Sequence, residues 1–252
     1  MTEDVSDKAI YPSLRGKRVL VTGGGSGIGA GLVEGFVRQG SDVTFFDICE
    51  AESRELSQRL GARFEPVDLT DVPTLHRRIA ELSAEAGPFD VLVNNAANDD
   101  RHRFDDVTEE YWENRLNVNL KHVFFCSQAV IPGMKSKGGG AIINLGSISW
   151  HLALPDLVLY QTCKAAIEGM TRALARDLGP DNIRVTCVVP GNVRTPRQLK
   201  WYTPEGEAEI VSAQCLEGRL VPEDVTALVL FLASDDARLM TGHEYFVDAG
   251  WR

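Results

Sequence analysis

Long hydrophobic runs are missing from this 252-residue sequence; the longest unbroken apolar stretch is Ala227–Ala233. That is far short of the roughly 20 residues of a membrane-spanning helix, so no such helix is expected. Basic charge is also scarce: 26 Lys and Arg stand against 36 Asp and Glu, a net charge of -10. A broad cationic face for nucleic acid is thereby excluded, and the acidity reads as a contribution to solubility. Cysteine is sparse and unpaired in rhythm: Cys49, Cys126, Cys163, Cys187 and Cys215 stand far apart, with no CxxC. An odd, scattered set speaks for reduced thiols in a cytoplasmic protein rather than a disulfide framework. The five histidines form no HExxH, so no zinc site is expected. The first residues (Thr2, Glu3, Asp4, Ser6, Asp7) are polar and acidic, unlike a signal peptide. Repeats and low-complexity tracts are absent, and 44% hydrophobic with 25% charged residues is the composition of an ordinary globular domain.

What is present is alternation. Short apolar segments at Arg18–Val21, Asp42–Phe46, Arg63–Val67, Asp90–Asn94, Ala141–Leu145, Arg184–Val189 and Glu244–Val247 read as strands. Several are β-branched and continuously apolar, as strands buried on both faces require. Helical stretches are expected between them at 27–39, 50–60, 71–86, 108–134, 157–178 and 222–233. Strand–helix alternation implies right-handed crossovers and a single α/β domain over residues 1–252. Its expected form is a Rossmann-type, doubly wound parallel sheet of about seven strands with helices on both faces. Residues 192–221 fit no strand–helix unit and read as a lid-like insertion or a surface excursion.

The first strand runs into Thr22-Gly23-Gly24-Gly25-Ser26-Gly27-Ile28-Gly29 and then an amphipathic helix. Glycines let a backbone turn sharply and approach a pyrophosphate, and a helix start offers free N–H groups. No Lys-Ser/Thr follows, so a triphosphate P-loop is excluded. Asp47 closes the second strand about 20 residues on, where an acid accepts ribose hydroxyls and repels a 2′-phosphate; with no Arg in the turn, NAD is favoured over NADP. Tyr160 and Lys164 are four apart, on one helix face. An ammonium beside a phenol lowers its pKa and makes a general acid/base pair. Ser147, just past the fifth strand, reaches the same end of the sheet and offers a hydroxyl to a reacting oxygen. Neither Ser26 nor Ser147 lies in a GxSxG elbow, which disfavours a serine hydrolase.

In these residues the chain resembles the short-chain dehydrogenases/reductases over residues 14–252. Thr22-Gly23 through Gly29 resembles the family's TGxxxGxG turn. Asp68, with Leu69, matches the acid that contacts adenine, and Asn94-Asn95-Ala96-Ala97 resembles the NNAG segment, with Ala97 in place of its glycine. Asn119, Ser147, Tyr160 and Lys164 match the catalytic set. Pro190-Gly191-Asn192-Val193-Arg194-Thr195 resembles PGxVxT, whose Val193 backbone and Thr195 would hold the nicotinamide carboxamide. The resemblance therefore implies cofactor contacts at Gly23, Ser26, Gly27, Ile28, Gly29, Asp47, Asp68, Leu69, Asn95, Ala96, Tyr160, Lys164, Pro190, Gly191, Val193 and Thr195. It implies hydride transfer, with Tyr160 moving the hydroxyl proton, Lys164 lowering the tyrosine pKa and holding the ribose, Asn119 anchoring a relay water and Ser147 orienting the reacting oxygen. The family also implies a homotetramer.

The expected pocket is polar with interleaved aromatics, which suits a sugar better than a steroid or acyl chain. A closer resemblance, to NAD-dependent sugar 1-dehydrogenases, runs through Asn98–His102, Gly146–Leu152, Lys200–Gly206 and Gly242–Arg252. It implies oxidation of the anomeric C1 hydroxyl of an aldose to the lactone. D-Xylose is the first expectation; D-galactose, L-arabinose and L-fucose are alternatives. Asn98, Ser147, Ser149, His151, Tyr160, Gln161, Asn192 and Trp201 are the expected sugar contacts. Asp99 and Asp100 read equally well as solvated turn residues. A 3-oxoacyl or carbonyl reductase would prefer NADPH and is disfavoured by Asp47. A non-catalytic dinucleotide sensor is disfavoured because Asn119, Ser147, Tyr160 and Lys164 are all present.

Overall fold

Seven strands form one fully parallel sheet in the order β3-β2-β1-β4-β5-β6-β7. They are β1 (Arg18–Thr22), β2 (Asp42–Asp47), β3 (Arg63–Pro66), β4 (Val91–Asn94), β5 (Gly140–Leu145), β6 (Ile183–Pro190) and β7 (Glu244–Val247). The structure is a computed structural model that describes residues 8–200 and 202–251. Each strand expected from the sequence is present within a residue or two of its expected ends. The central strands are apolar without alternation because both faces are covered: every residue of β1 and β4 is buried.

Five helices lie where expected: α1 (Gly27–Arg38), α2 (Glu50–Leu60), α3 (Val72–Ala86), α7 (Val158–Leu178) and α9 (Pro222–Ala233); the short α6 (Ile148–His151) was not foreseen. The stretch 108–134 is not one helix. It divides into α4 (Glu109–Leu116), a wide π-type turn over Asn117–Lys121, and α5 (His122–Ser136). Such a widened turn in a helix is uncommon and marks functional positions, and this one carries Asn119. Thr108 caps α4, its hydroxyl accepting from the Tyr111 N–H. Among its described residues the insertion 192–221 carries a 3-10 turn over Gln198–Lys200 and the helix α8 (Pro204–Ser212), capped by the Thr203 hydroxyl and started by Pro204. Its two ends are closed by a bridge between Val193 and Leu220, with the Arg194 N–H donating to Leu220 at 2.7 Å. The insertion is therefore a closed excursion, rooted where β6 ends.

Two apolar layers clamp the sheet. On one face Val19, Val21, Phe45, Val93, Ile143 and Val188 pack with Leu32, Phe36, Val225 and Val229 of α1 and α9. On the other, Leu20, Phe46, Leu92 and Ile142 pack with Leu75, Ile79, Cys126 and Val130 of α3 and α5. Strand order reverses between β1 and β4. Successive helices there leave for opposite faces and open a crevice at the strands' carboxyl ends, where ligands bind in open α/β sheets. Among the described residues, no helix is long and apolar enough to cross a membrane.

Candidate active site

The turn after β1 is shaped by close approach. Gly23 has φ +65°, and a Cβ on it would lie 2.7 Å from the Ala96 Cα. A Cβ on Gly29 would lie 1.8 Å from the Gly23 carbonyl oxygen and 2.8 Å from Asn95 Nδ2. Only glycine fits either position. Gly25 donates its N–H to Asp47 Oδ2 at 2.8 Å, while Asp47 Oδ1 accepts from the N–H groups of Ile48 and Cys49. The end of β2 is thus fastened to the glycine turn. Exposed Ser26 is the N-cap of α1 and makes no side-chain cap bond, so the first N–H groups of that helix face outward. Thr195 comes from the other wall: its Cγ2 lies 3.3 Å from where a Gly27 Cβ would be. Gly191 donates to the Val247 carbonyl at 2.9 Å, which holds the Pro190–Thr195 segment against β7. The result is a narrow cradle of backbone and small side chains, with an acid at one end, that fits a dinucleotide.

Two expected cofactor contacts, Asn95 and Asp68, are engaged by the protein's own groups. Asn95 does not offer its carboxamide to a ligand: Nδ2 donates to the carbonyls of Thr22 and Gly23 at 3.0 and 2.9 Å. It supports the turn from beneath. Leu69 and Val193 bury their side chains in the core, so only their backbones can face the cradle. Asp68 is exposed but accepts from both the N–H and the hydroxyl of Thr70. Ala97 does not adopt a positive φ, so its methyl is unstrained there.

The four catalytic candidates are gathered at the crevice. Asn119 is fully buried on the π turn; its carboxamide accepts from the Asn98 N–H at 2.7 Å and donates to the Asn98 carbonyl at 3.1 Å. The Asn119 side chain thereby clamps the loop after β4. Ser147 caps α6 and donates to Ser149 Oγ at 2.9 Å. Its hydroxyl also lies against the Tyr160 phenol and favours the phenolate. Lys164, 2% exposed, donates Nζ to the Leu145 carbonyl at 2.7 Å and sits 5.4 Å from the centre of the Tyr160 ring. Burial pulls its pKa down to about 8. The pKa of the Tyr160 phenol stands above its ordinary value. Burial pushes it up, the Asp99 carboxylate adds to the rise, and Ser147 and Arg197 act in the opposite direction.

Several expected sugar contacts are engaged elsewhere. Ser149 is buried and bonded through its N–H and hydroxyl to Ser147, so it orients that serine. His151 packs on Trp150 with ring centres 3.8 Å apart, and its Nε2 lies 3.1 Å from Glu168 Oε1. Trp150 donates to the same oxygen at 2.8 Å. These two aromatics therefore wedge buried Glu168 beneath the site. Gln161 donates to the Leu154 carbonyl at 2.6 Å, which fixes the loop before α7. Asn192 is joined to Tyr202 and accepts from Arg219 at 2.9 Å. Trp201 lies outside the described residues. The sequence reading missed a latch across the mouth. Arg197 reaches Asp99 Oδ1 at 3.1 Å, Asp100 Oδ1 at 2.7 Å and Asn98 Oδ1 at 2.9 Å; Gln198 donates to Asp99 Oδ2 at 2.6 Å. The partners are nearly a hundred residues apart, so no local spacing could reveal them. The only signal was an acidic pair after β4 and a basic residue in the insertion.

A family model described as enoyl-(acyl carrier protein) reductase matches residues 23–252. A D-xylose 1-dehydrogenase of Caulobacter vibrioides is 68% identical over 246 residues, 97% of this chain and 99% of that protein. The chain belongs to the short-chain dehydrogenase/reductase family. A "Probable galactose dehydrogenase GalD" of Rhizobium meliloti is 46% identical over 247 residues, covering 95% of this chain and 96% of that one. Among solved structures, a short-chain type dehydrogenase/reductase from Mycobacterium ulcerans superposes with a TM-score of 0.90 at 26% identity, over 95% of this chain and 90% of that one. As a family member the protein is an oxidoreductase, and the family implies a nicotinamide cofactor.

Proposed function

We propose that the protein is an NAD-dependent aldose 1-dehydrogenase whose substrate is D-xylose, oxidised at C1 to the lactone. The observation that carries this reading is one arrangement: the Ser147–Tyr160–Lys164 group stands beside the cradle under a rim of hydrogen-bonding side chains. The 68% identity to a D-xylose 1-dehydrogenase supports the sugar. A bound nicotinamide supplies the hydride acceptor. The remaining work falls to the chain. Ser147 holds the C1 oxygen. Tyr160 takes the hydroxyl proton, for which its phenol must be ionised; the desolvation that now opposes ionisation is offset once positive charge arrives beside it. Lys164, still an ammonium at neutral pH but with its pKa drawn down by burial to about 8, is the next proton carrier. The backbone of the π turn, rather than the Asn119 carboxamide, is left to anchor a relay water. Asp47 is the acceptor for the adenosine ribose, and its charge opposes a 2′-phosphate, which is why NAD is favoured and a reductase using NADPH is not.

The reading includes a homotetramer in the cytoplasm. Trp112, Phe124 and Val158, all more than 40% exposed, give α4, α5 and α7 an apolar outer surface that association would cover, and all five cysteines are free thiols. The test is initial rates of reduced-cofactor formation with NAD+ and NADP+ against D-xylose, L-arabinose, D-galactose, L-fucose and D-glucose. The expected result is the highest kcat/KM with NAD+ and D-xylose. Higher kcat/KM with NADP+, or with a simple ketone in the reductive direction, would overturn it.

A further inference from the structure

We infer that Asp99 is a sugar-recognition residue: its carboxylate, aimed by Arg197 and Gln198, receives ring hydroxyls of the aldose whose C1 oxygen lies at Tyr160. This rests on the aldose reading above. Asp99 follows Asn98, whose N–H and carbonyl are both held by the catalytic Asn119, so its backbone is fixed relative to the reaction centre. The next residues are fixed as well. Arg101 donates to the Pro155 carbonyl at 3.0 Å, and the His102 N–H donates to the Asp156 carbonyl at 2.9 Å. The loop after β4 is thereby tied to the segment that leads into Tyr160.

The Asp99 side chain stands among three groups of the site. Its charge is felt at the Tyr160 phenol, the Lys164 ammonium and the Tyr202 phenol. It keeps 30% of its surface open. Each carboxylate oxygen meets one protein donor, Arg197 Nε at 3.1 Å or Gln198 Nε2 at 2.6 Å. A carboxylate oxygen has two lone-pair sites, so each retains one for a hydroxyl donor. Asp100 differs: it is 53% exposed and binds both Arg197 and Arg115. Asp100 therefore anchors the arginine while Asp99 faces the substrate. An acyl chain or steroid has no hydroxyl pair for such an acceptor, and covering a carboxylate at the mouth with an apolar ligand would be opposed by its desolvation.

The experiment measures D-xylose and its 2-, 3- and 4-deoxy forms on wild type, Asp99→Asn and Arg197→Ala at saturating NAD+, with NAD+ affinity and melting midpoint as controls. Asp99→Asn keeps the shape and one acceptor oxygen for Arg197, and loses the charge and the acceptor that faces Gln198. It is expected to lower kcat/KM for D-xylose about 10- to 100-fold, mainly through KM, without changing NAD+ affinity. At least one deoxy sugar should lose that factor on wild type and nothing further on Asp99→Asn, whereas Arg197→Ala should retain that deoxy penalty. Asp99→Asn within twofold of wild type, or equal deoxy penalties in both enzymes, would overturn the inference while leaving the aldose reading intact. A wild type that oxidises no aldose overturns both.

Discussion

Replacing Asn95 by alanine removes one side chain and frees two carbonyls. The Asn95 carboxamide bonds Thr22 O and Gly23 O at 3.0 and 2.9 Å, within a part-buried network in which Thr22 Oγ1 also accepts the N–H groups of Asn95 and Ala96. Alanine leaves both carbonyls without that donor. At about 1–2 kcal/mol for each unsatisfied group, the loss comes to about 2–4 kcal/mol. For a chain of this size that is a fall in melting midpoint of about 4–16 °C. The cost extends to function because the turn that loses support is the wall of the dinucleotide cradle: NAD+ affinity should fall at least about tenfold. Thr22→Val is the companion change, since it keeps shape but removes the acceptor of two N–H groups. The double variant should cost less than the two single ones together, because both act on one network. Calorimetry at fixed scan rate and protein concentration, with NADH fluorescence titration, reads both effects. An Asn95→Ala protein that melts within 2 °C of wild type and binds NAD+ unchanged would refute the claim that this side chain serves the turn.

Three further outcomes follow from other parts of the molecule. Asp47→Ser should raise kcat/KM with NADP+ about 100-fold or more, since like unit charges about 4 Å apart cost about 4 kcal/mol at an effective dielectric of about 20, and should lower it with NAD+; an unchanged NAD+/NADP+ ratio contradicts the selector role. His122 is wholly buried, and desolvation, with Lys164 adding to it, drops its pKa to about 3. Its ring resonances should not titrate between pH 8 and pH 5, and stability should fall below about pH 6.5 by about 1.4 kcal/mol per pH unit, because the unfolded chain takes up the proton and the native one does not; a midpoint near 6.5 refutes this. Glu168 is buried and its pKa is raised above 4.5 by burial, so stability is lost as pH rises through the raised value. Glu168→Gln should then melt higher than wild type at pH 8, with the advantage shrinking toward pH 4.5; melting lower at pH 8 would show that the hydrogen bonds with Trp150 and His151 dominate.

The parallel sheet was legible because strands buried on both faces need unbroken apolar runs, and Val19–Val21 and Val188–Val189 carry them. Gly23 and Gly29 were legible because close backbone approach admits no other residue. What sequence could not show was how side chains are partnered. His151 and Gln161 look like pocket residues by position, yet Glu168 and the Leu154 carbonyl claim them. The break in the 108–134 helix was hidden because Asn117–Lys121 keeps helical composition while its hydrogen bonds widen. The Asp99–Arg197 latch was hidden because it joins two loops nearly a hundred residues apart.

The central claim is that Tyr160 carries the proton in an aldose dehydrogenase. It is tested most directly by NADH formation from D-xylose and NAD+ in wild type and Tyr160→Phe, with NAD+ binding measured alongside. The account predicts turnover by wild type and a fall of about 100-fold or more in the variant, at unchanged NAD+ affinity. A variant that retains wild-type turnover, or a wild type that forms no NADH from any aldose, would contradict it.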